Sequence, residues 1–451
     1  MLHNSIRYAT AITIGCRLNQ TDTALMFGTL QNAGFQIVKP DTDKSLSLII
    51  INTCSVTCSA AQKSRQAARS LKKKHPSAYI IVTGCDVETD AKTWDNEIII
   101  DQIIPNADKT NILNYINDVF DLTSNGTEIT ESPDTAVTFD ENATGYYPFK
   151  SRANIKIQNG CDSYCTYCIV PYGRGKSISR SWNNSIDEFK ELVKNGHKEV
   201  VLTGVNIATY DDSGRTLVDL LKELIKIEGD FRIRLSSTEP QFDMHGLIDT
   251  IASSNKVCRF LHLPLQYGEN SILDRMGRHY KKEEFADFVL NAIEKIPDIC
   301  IGSDIIVGFP GETDEIFEEC KEFISSLPLS YLHVFKYSKR QGTPAATYKD
   351  QVPSKDATAR HKTLTAIGNK LAENFINKQI GKTASVLFEN YINEKELIGW
   401  TDNYIKVSTP PPSSFTNKKS IDSNFINNIL PVKITGFIDN RHASGDIVKQ
   451  L

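Results

Sequence analysis

The sequence predicts an α/β fold in three parts: an N-terminal doubly wound parallel sheet, a central incomplete (β/α) barrel and a small C-terminal all-β barrel. Three observations predict it. Over residues 1–120, short apolar runs alternate with helical stretches, the order of a parallel sheet covered on both faces. From about 146 the alternation resumes with βα-type units. After Gly381 it gives way to short strands and polar turns. A chain of 451 residues is too long for one core. With 40% hydrophobic and 24% charged residues it reads as an ordinary soluble globular protein.

The first part opens with a strand at Tyr8–Ile14 and a helix at Gln20–Ala33. Leu46–Asn52 (LSLIIIN) is a fully buried strand, followed by a helix near Ala60–Lys74 and a strand at Ala78–Thr83. Further elements are expected near Glu97–Ile100 and Asn111–Val119. Residues 121–145 are polar and acidic and read as a linker. In the central part, 146–380, strands are expected at Ile155–Gln158, Glu199–Thr203, Arg232–Leu235, Phe260–Pro264, Ile301–Val307 and Leu332–Lys336. Helices near Ile186–Asn195, Thr216–Ile227, Phe242–Ser253, Lys282–Lys295 and Thr313–Ser325 lie between them. A basic amphipathic helix spans about 355–380. In the tail, 381–451, strands at Thr383–Asn390, Leu397–Trp400, Tyr404–Val407 and Val432–Phe437 suggest an antiparallel barrel of the kind that grips nucleic acid.

No apolar run approaches the roughly 20 residues that span a bilayer. Residues 1–7 lack the apolar core of a signal peptide. A cytosolic setting is therefore expected, with no membrane partner. There the ten cysteines read as metal ligands or free thiols. The net charge of −4 requires any nucleic-acid site to be a local patch.

The chemistry concentrates at GCDSYCTYC, which puts Cys161, Cys165 and Cys168 in a CxxxCxxC spacing. Thiolates are soft ligands suited to iron–sulfur clusters and zinc. Three of them hold a cubane 4Fe-4S cluster with one iron open, and the next cysteine is as far off as Cys258. A zinc loop is the alternative, but the paired halves of zinc knuckles are missing. Three more cysteines, Cys16, Cys54 and Cys85, each follow an expected strand (ITIGC, IINTC, IVTGC). Strand carboxyl ends of an open parallel sheet share one edge, so residues 38 and 31 positions apart converge there. They read as a second three-thiolate site, with Cys58 as the rival ligand to Cys54.

The first motif, with Tyr167 before its third cysteine, resembles that of radical S-adenosylmethionine (SAM) enzymes. ITIGCRLNQTDT, INTCSVT, VTGC and GCDSYCTYCIVPYGRG together resemble the methylthiotransferase family of those enzymes. RLSSTEP, HLPLQYG, DIIVGFPGET and YSKRQGTPAA extend the match, and the tail resembles a TRAM domain. GCRLNQTDT, INTCSVT and LTGVNIATY are most similar to the branch that acts on threonylcarbamoyl-adenosine in tRNA. The other branches act on isopentenyl-adenosine in tRNA or on a ribosomal-protein aspartate. Cys58, Asp86-Val87, Thr238 and Tyr267 depart from the usual pattern.

The resemblance implies two 4Fe-4S clusters, SAM, a tRNA substrate, an external electron donor such as flavodoxin or ferredoxin, and a sulfur source. It implies replacement of the adenine C2 hydrogen by a methylthio group. That hydrogen is not acidic, so acid–base catalysis cannot remove it, and a cofactor-borne radical must. It makes Cys161, Cys165 and Cys168 the SAM-cleaving set, and Cys16, Cys54 and Cys85 the sulfur-carrying one. Tyr167, Gly204, Ser237, Glu239, Gln266 and Val307 are the expected SAM contacts. Arg174 and Arg180 are expected to meet tRNA phosphate. In the tail, Trp400, Tyr404, Lys406 and Arg441 (with Phe437) interleave rings for stacking and cations for phosphates. A two-cluster electron-transfer or redox-sensing protein is the competing reading. It would favour four ligands per cluster and has no use for an open iron.

Overall fold

A computed structural model describes residues 6–55, 58–122, 139, 145–148, 150–239, 246–392, 395–412, 421 and 424–448. The chain divides into two compact units. The first comprises Met1–Pro148, Asn154–Tyr164 and Cys168–Ser181, and the second Phe149–Ala153, Cys165–Tyr167 and Trp182–Leu451. Most of the expected linker lies outside the described residues.

In the first unit the order is β1 (Arg7–Thr13), α1 (Arg17–Asn32), β2 (Phe35–Ile37), β3 (Leu48–Thr53), α2 (Cys58–Lys74), β4 (Tyr79–Gly84), α3 (Cys85–Thr89), α4 (Ala91–Asp95), β5 (Gln102–Ile103) and α5 (Ile112–Phe120). The five strands form one sheet in the order β2-β1-β3-β4-β5, every pair parallel. LIIINT of β3 is buried at every position because both faces are covered. Leu48 and Ile50 pack with Met26, Leu30, Ile112 and Ile116. Ile49 and Ile51 pack on the other side with Ala68, Leu71 and Trp94. β2 was not foreseen, and the element expected at Glu97–Ile100 is a turn before β5. β2 and β5 are only three and two residues long, too short to leave a period.

The chain continues through β6 (Arg152–Lys156), β7 (Gln158–Asn159), α6 (Val170–Arg174), β8 (Ile178–Ser179), α7 (Trp182–Lys194), β9 (Glu199–Thr203), a small hairpin β10 (Asp211–Asp212) and β11 (Arg215–Thr216), α8 (Leu217–Ile225) and β12 (Arg232–Leu235). Then come α9 (Leu247–Ala252), β13 (Phe260–His262), α10 (Asn270–Met276), α11 (Lys282–Lys295), β14 (Cys300–Val307), α12 (Asp314–Ser326), β15 (Tyr331–Lys336) and α13 (Ser354–Asn377). In the second unit, β9 pairs parallel with β12, and β13, β14 and β15 pair parallel in that order. Single parallel bridges, Ile233 to Val257 and Ser237 to His262, carry the wall from β12 to β13. The sequence reading missed the seven-residue α10.

The tail forms β16 (Thr383–Ile392), β17 (Glu396–Thr401), β18 (Lys406–Thr409), β19 (Ile429–Asp439) and β20 (His442–Ile447). They close into a five-stranded barrel, β16-β17-β18-β20-β19. It is not wholly antiparallel, because β18 and β20 pair in parallel. β20, with Gly445 and few large apolar residues, gave no strand signal. The barrel is seated on the parallel wall by buried charge. Glu199 accepts from Arg232 Nε at 2.6 Å and from Arg234 Nε at 2.6 Å. Arg232 then donates to the Ser385 and Trp400 carbonyls, and Arg234 to those of Thr401 and Asp402. Burial disfavours the Glu199 anion, but Arg234, Arg232 and Arg152 hold its pKa well below the usual carboxylate range.

Candidate functional site

In the first unit the sheet order reverses between β1 and β3, the crevice where ligands bind in open parallel sheets. Cys16 follows β1 and is the N-cap of α1, Cys54 follows β3, and Cys85 follows β4 as the first residue of α3. Helix N-termini favour anionic sulfur. Gly15, at φ +107°, permits the approach: a Cβ there would stand 2.7 Å from Cys54 Sγ. The side chain of Cys58 lies outside those described.

Beneath these thiols lies a buried cage. Asp22, fully buried, accepts from Lys109 Nζ at 2.5 Å, Lys156 Nζ at 2.8 Å and Arg174 Nη2 at 3.3 Å. Arg174 also donates to Asn19 Oδ1 at 2.5 Å and Asn159 Oδ1 at 3.0 Å. Asn19 in turn donates to the Ile14 and Thr53 carbonyls, which tie the ends of β1 and β3. Burial opposes the Asp22 anion, but Lys109, Lys156 and Arg174 keep its pKa far below the ordinary range. Lys109 is pushed down, first by burial; Asp22 and Cys85 only partly offset burial and the like charges of Arg174 and Lys156. Burial also opposes the Arg174 charge, yet Cys85, Asp22 and Cys16 together raise its pKa. Three basic side chains thus face one carboxylate beside the Cys85 and Cys16 thiols.

Arg174 therefore does not meet phosphate at the surface. It and Arg180, both expected there, are buried at 5% and 3% exposure. Arg174 ends α6, two residues beyond Cys168 by its first residue, and its side chain is spent on the cage. Gly160, at φ +70°, closes the loop before Cys161, where a Cβ would collide with the Lys176 carbonyl. Cys161 N–H donates to Gly175 O at 3.2 Å.

In the second unit, Cys165 is buried and accepts from Arg278 Nη1 at 3.2 Å. The same Nη1 donates to Glu239 Oε1 at 2.9 Å. Arg278 Nη2 is buried with no hydrogen-bond partner among the described residues. Burial opposes the Arg278 charge, but Tyr280, Tyr167, Glu239 and Cys165 hold it firmly on. Thr166 anchors the loop, its N–H donating to Met276 O at 2.9 Å. Tyr167 meets Phe309 edge-on at 6.3 Å. Gly204 follows β9, Ser237 and Glu239 follow β12, Gln266 follows β13, and Val307 ends β14. All lie past one end of the parallel wall. Gln266 is held at φ +70° by bonds with Asp304 O and Ile306 N–H, a strained backbone at a functional edge.

The tail rings are not open platforms. Trp400 stacks on Tyr404 at 4.7 Å, with the Arg152 guanidinium over its ring. Tyr404 packs on Phe260 at 4.4 Å, and Arg441 lies over the Tyr331 and Tyr404 rings. The buried Arg232 and Arg234 draw this barrel face inward. Lys406 is half-buried on β18. Among the described residues, the exposed rings include Tyr164 and Tyr172, edge-to-face at 6.1 Å in the first unit, Phe335 at the end of β15, and Phe437 on the barrel.

The sequence matches the radical SAM superfamily over residues 155–324 and the Uncharacterized protein family UPF0004 over residues 8–104. It is 34% identical to the threonylcarbamoyladenosine tRNA methylthiotransferase MtaB of Bacillus subtilis, covering 88% of each chain. It is 36% identical to MtaB of Chlamydia pneumoniae, covering 88% of this chain and 90% of that one. The chain belongs to the radical SAM methylthiotransferase family. A tRNA-2-methylthio-N(6)-dimethylallyladenosine synthase of Clostridium botulinum is 32% identical over 90% of this chain and 94% of its own. The radical SAM methyltransferase TsrM of Kitasatospora setae shares the fold, with a TM-score of 0.54 at 14% identity over 76% of this chain and 77% of its own.

Membership of this family implies a 4Fe-4S cluster and SAM. The residues fit them. A buried thiol at Cys165 is met by a guanidinium with a spare buried N–H, and an orphan donor of that kind suits an anionic acceptor. Sequence reasoning missed Arg278, which lies 113 residues from Cys165 and has no local signature. It also missed Asn19, Asp22 and Lys109. A polar stripe at Cys16, Asn19 and Asp22, on one face of α1, was the available signal. The departures at Asp86 and Tyr267 are built in: Asp86 accepts from Trp94 Nε1 at 3.0 Å, and Tyr267 donates to Glu312 at 2.9 Å. Among the described residues, no helix is long and apolar enough to cross a membrane.

Proposed function

We propose that this chain converts N6-threonylcarbamoyladenosine at position 37 of tRNA to its 2-methylthio derivative. The observation that carries the reading is the pair of three-cysteine sets, one on the CxxxCxxC loop and one at the β1/β3 switch point. When bound, the clusters and SAM supply the radical and sulfur chemistry that an unactivated aromatic C–H requires. Cys161, Cys165 and Cys168 hold the first cluster. Cys16, Cys54 and Cys85 hold the second, and the three basic side chains Lys109, Lys156 and Arg174 around one carboxylate support an anionic occupant there.

Arg278 positions Cys165 and offers its free N–H to the bound group. Tyr167, Gly204, Ser237, Glu239, Gln266 and Val307 line the SAM pocket at the strand ends. Domain boundaries at 1–120, 146–380 and 381–451 follow, the last a TRAM-like RNA grip in which Lys406 and Phe437 are the available contacts. A flavodoxin- or ferredoxin-like donor and an external sulfur source complete the system.

The branch is supported by GCRLNQTDT, INTCSVT and LTGVNIATY, and by the names of the first relatives. The similarity to the dimethylallyladenosine synthase favours isopentenyl-adenosine as the second reading. The test offers reconstituted enzyme tRNA bearing one or the other nucleoside, read by nucleoside mass spectrometry. Methylthiolation of only the threonylcarbamoyl tRNA is expected; product from only the isopentenyl tRNA overturns the reading.

A further inference from the structure

We infer that His262, Asp304 and His333 form a binding site for one divalent first-row transition cation, with zinc as the reference ion. The three sit on neighbouring parallel strands, β13, β14 and β15. Register pairs His262 with Gly302 and Asp304 with His333, so all three side chains project from one face of the wall. Their ligand atoms all lie within 4.8 Å of one another. Asp304 Oδ1 is 3.1 Å from His262 Nε2 and 3.2 Å from His333 Nδ1. Donors about 2.1 Å from a metal stand about 3.0 Å apart in octahedral and about 3.4 Å apart in tetrahedral geometry, so both separations match a ligand edge.

A plain ion pair explains the cluster less well. Asp304 Oδ1 is buried, and two ring nitrogens from different strands converge on this one oxygen at 3.1 and 3.2 Å. One proton can bridge only one of those two approaches at a time, whereas one cation can be shared by all three atoms. The outer contact is also that of a metal-bound histidine. The other nitrogen of His262, Nδ1, lies 3.0 Å from the Tyr331 hydroxyl, which fixes the ring with Nε2 toward Asp304. Tyr331 reaches across β14 because residue 302 is glycine, where a Cβ would overlap its ring at 1.9 Å. Arg441 rests over the Tyr331 ring.

Two histidines and one carboxylate suit zinc and iron(II), and leave positions open for water or another oxygen ligand. His333 is the half-exposed member, so the open side faces solvent. The nitrogen–oxygen donor set separates this site from the six cluster cysteines, which take softer coordination.

The test uses the reconstituted full-length protein, so that iron already occupies the thiolates. It is incubated with zinc and desalted, and iron and zinc are measured together. One zinc per chain is expected, with iron unchanged. Asp304→Asn and His333→Gln should weaken zinc binding by about 100-fold or more, and Tyr331→Phe by about 10-fold. Cobalt(II) in place of zinc should add d–d bands, and no thiolate-to-cobalt band, to the difference spectrum against untreated protein. Circular dichroism and iron content report folding; should Asp304→Asn lose iron, the more exposed His333→Gln decides. Absence of retained zinc, retention undiminished in His333→Gln, or a thiolate-to-cobalt band in that difference spectrum would each overturn the site.

Discussion

The cysteine site at the sheet edge of the first unit and the Cys165 pocket of the second differ in charge balance. The first sets two buried basic side chains, Lys109 and Arg174, and the partly exposed Lys156 against the single carboxylate of Asp22. The second sets Arg278 against Glu239, one for one. Burying unmatched charge costs several kcal/mol per ion. An over-supply of cations is relieved by an anion to face, by the lowered pKa of Lys109 and by the partial exposure of Lys156. The balanced pocket needs no such partner; its contribution is directional, a guanidinium N–H aimed past Cys165. One site is built to hold charge and the other to orient a ligand.

The largest effect should come from separating the two thiol sets. Reconstituted wild-type protein should hold about eight irons. Cys16, Cys54 and Cys85 changed together to Ala should halve that number and abolish methylthio product. SAM cleavage to 5′-deoxyadenosine should continue. The triple Ala variant of Cys161, Cys165 and Cys168 should also halve the iron but stop SAM cleavage. Iron that stays near eight in either variant would remove that set from cluster binding.

Next comes the cage. Asp22→Asn removes the counter-charge of the buried Lys109 and Arg174 and of the partly exposed Lys156, and should destabilise the apoprotein by about 3–5 kcal/mol in denaturant unfolding. Arg174→Gln removes one of the surplus cations. It should cost the apoprotein clearly less, yet lower iron retention at the Cys16, Cys54 and Cys85 site. Equal losses of apoprotein stability would make the cage an ordinary ion pair. The pH dependence follows from the same groups. The folded pKa values of Asp22 and Glu199 are both depressed. Their stabilisation is thus fully present above the unfolded carboxylate range near pH 4, and is lost as pH falls through the folded values. Asp22→Asn should flatten the acid limb of an unfolding-versus-pH curve, while leaving the neutral limb parallel to wild type.

Much of this was legible in residues because it was periodic. Glu199–Thr203, Arg232–Leu235 and Lys282–Lys295 stand where apolar patterning puts them. The strand-end position of Cys16, Cys54 and Cys85 followed from β-α alternation alone. What failed was long-range pairing. Arg174 read as a surface cation because nothing near it in sequence says that Asn19, 155 residues away, will receive it. Trp400, Tyr404 and Arg441 read as an RNA face because their composition suits one. In the fold these three are half-buried and engaged with Arg152, Phe260 and Tyr331, while Arg232 and Arg234 donate to the barrel's backbone carbonyls. Deleting the tail is for that reason a poor probe of RNA binding, since it would strip acceptors from two buried arginines.

In the balanced pocket, a conservative change should act on rate rather than on metal content. Arg278→Lys keeps the charge but loses the forked donors. Iron at both sites should be retained and apoprotein stability lowered only modestly, while SAM cleavage slows by roughly 10-fold, in line with loss of one charge-assisted hydrogen bond of about 1.5 kcal/mol. Loss of iron in place of rate would make Arg278 a structural support of Cys165.

The smallest effect concerns RNA, where the comparison extends to the exposed surfaces. Tyr164 and Tyr172 are half-exposed rings beside the cysteine loop, whereas Trp400 and Tyr404 are engaged with Arg152, Phe260 and Arg441. Stacking on a splayed base contributes about 1–3 kcal/mol and depends little on salt. Tyr172→Ala should therefore weaken tRNA binding by an amount in that range, with an unchanged salt slope and unchanged thermal stability. Lys406→Ala should do less, reducing the log–log salt slope by at most about 0.9 if it meets one duplex phosphate. Trp400→Ala should reverse the pattern, lowering stability through lost packing with Arg152 and Tyr404 while affinity per folded molecule holds. Measuring all three by titration against one tRNA at several salt concentrations separates the outcomes. Trp400→Ala with normal stability and the largest affinity loss would return the RNA face to the tail.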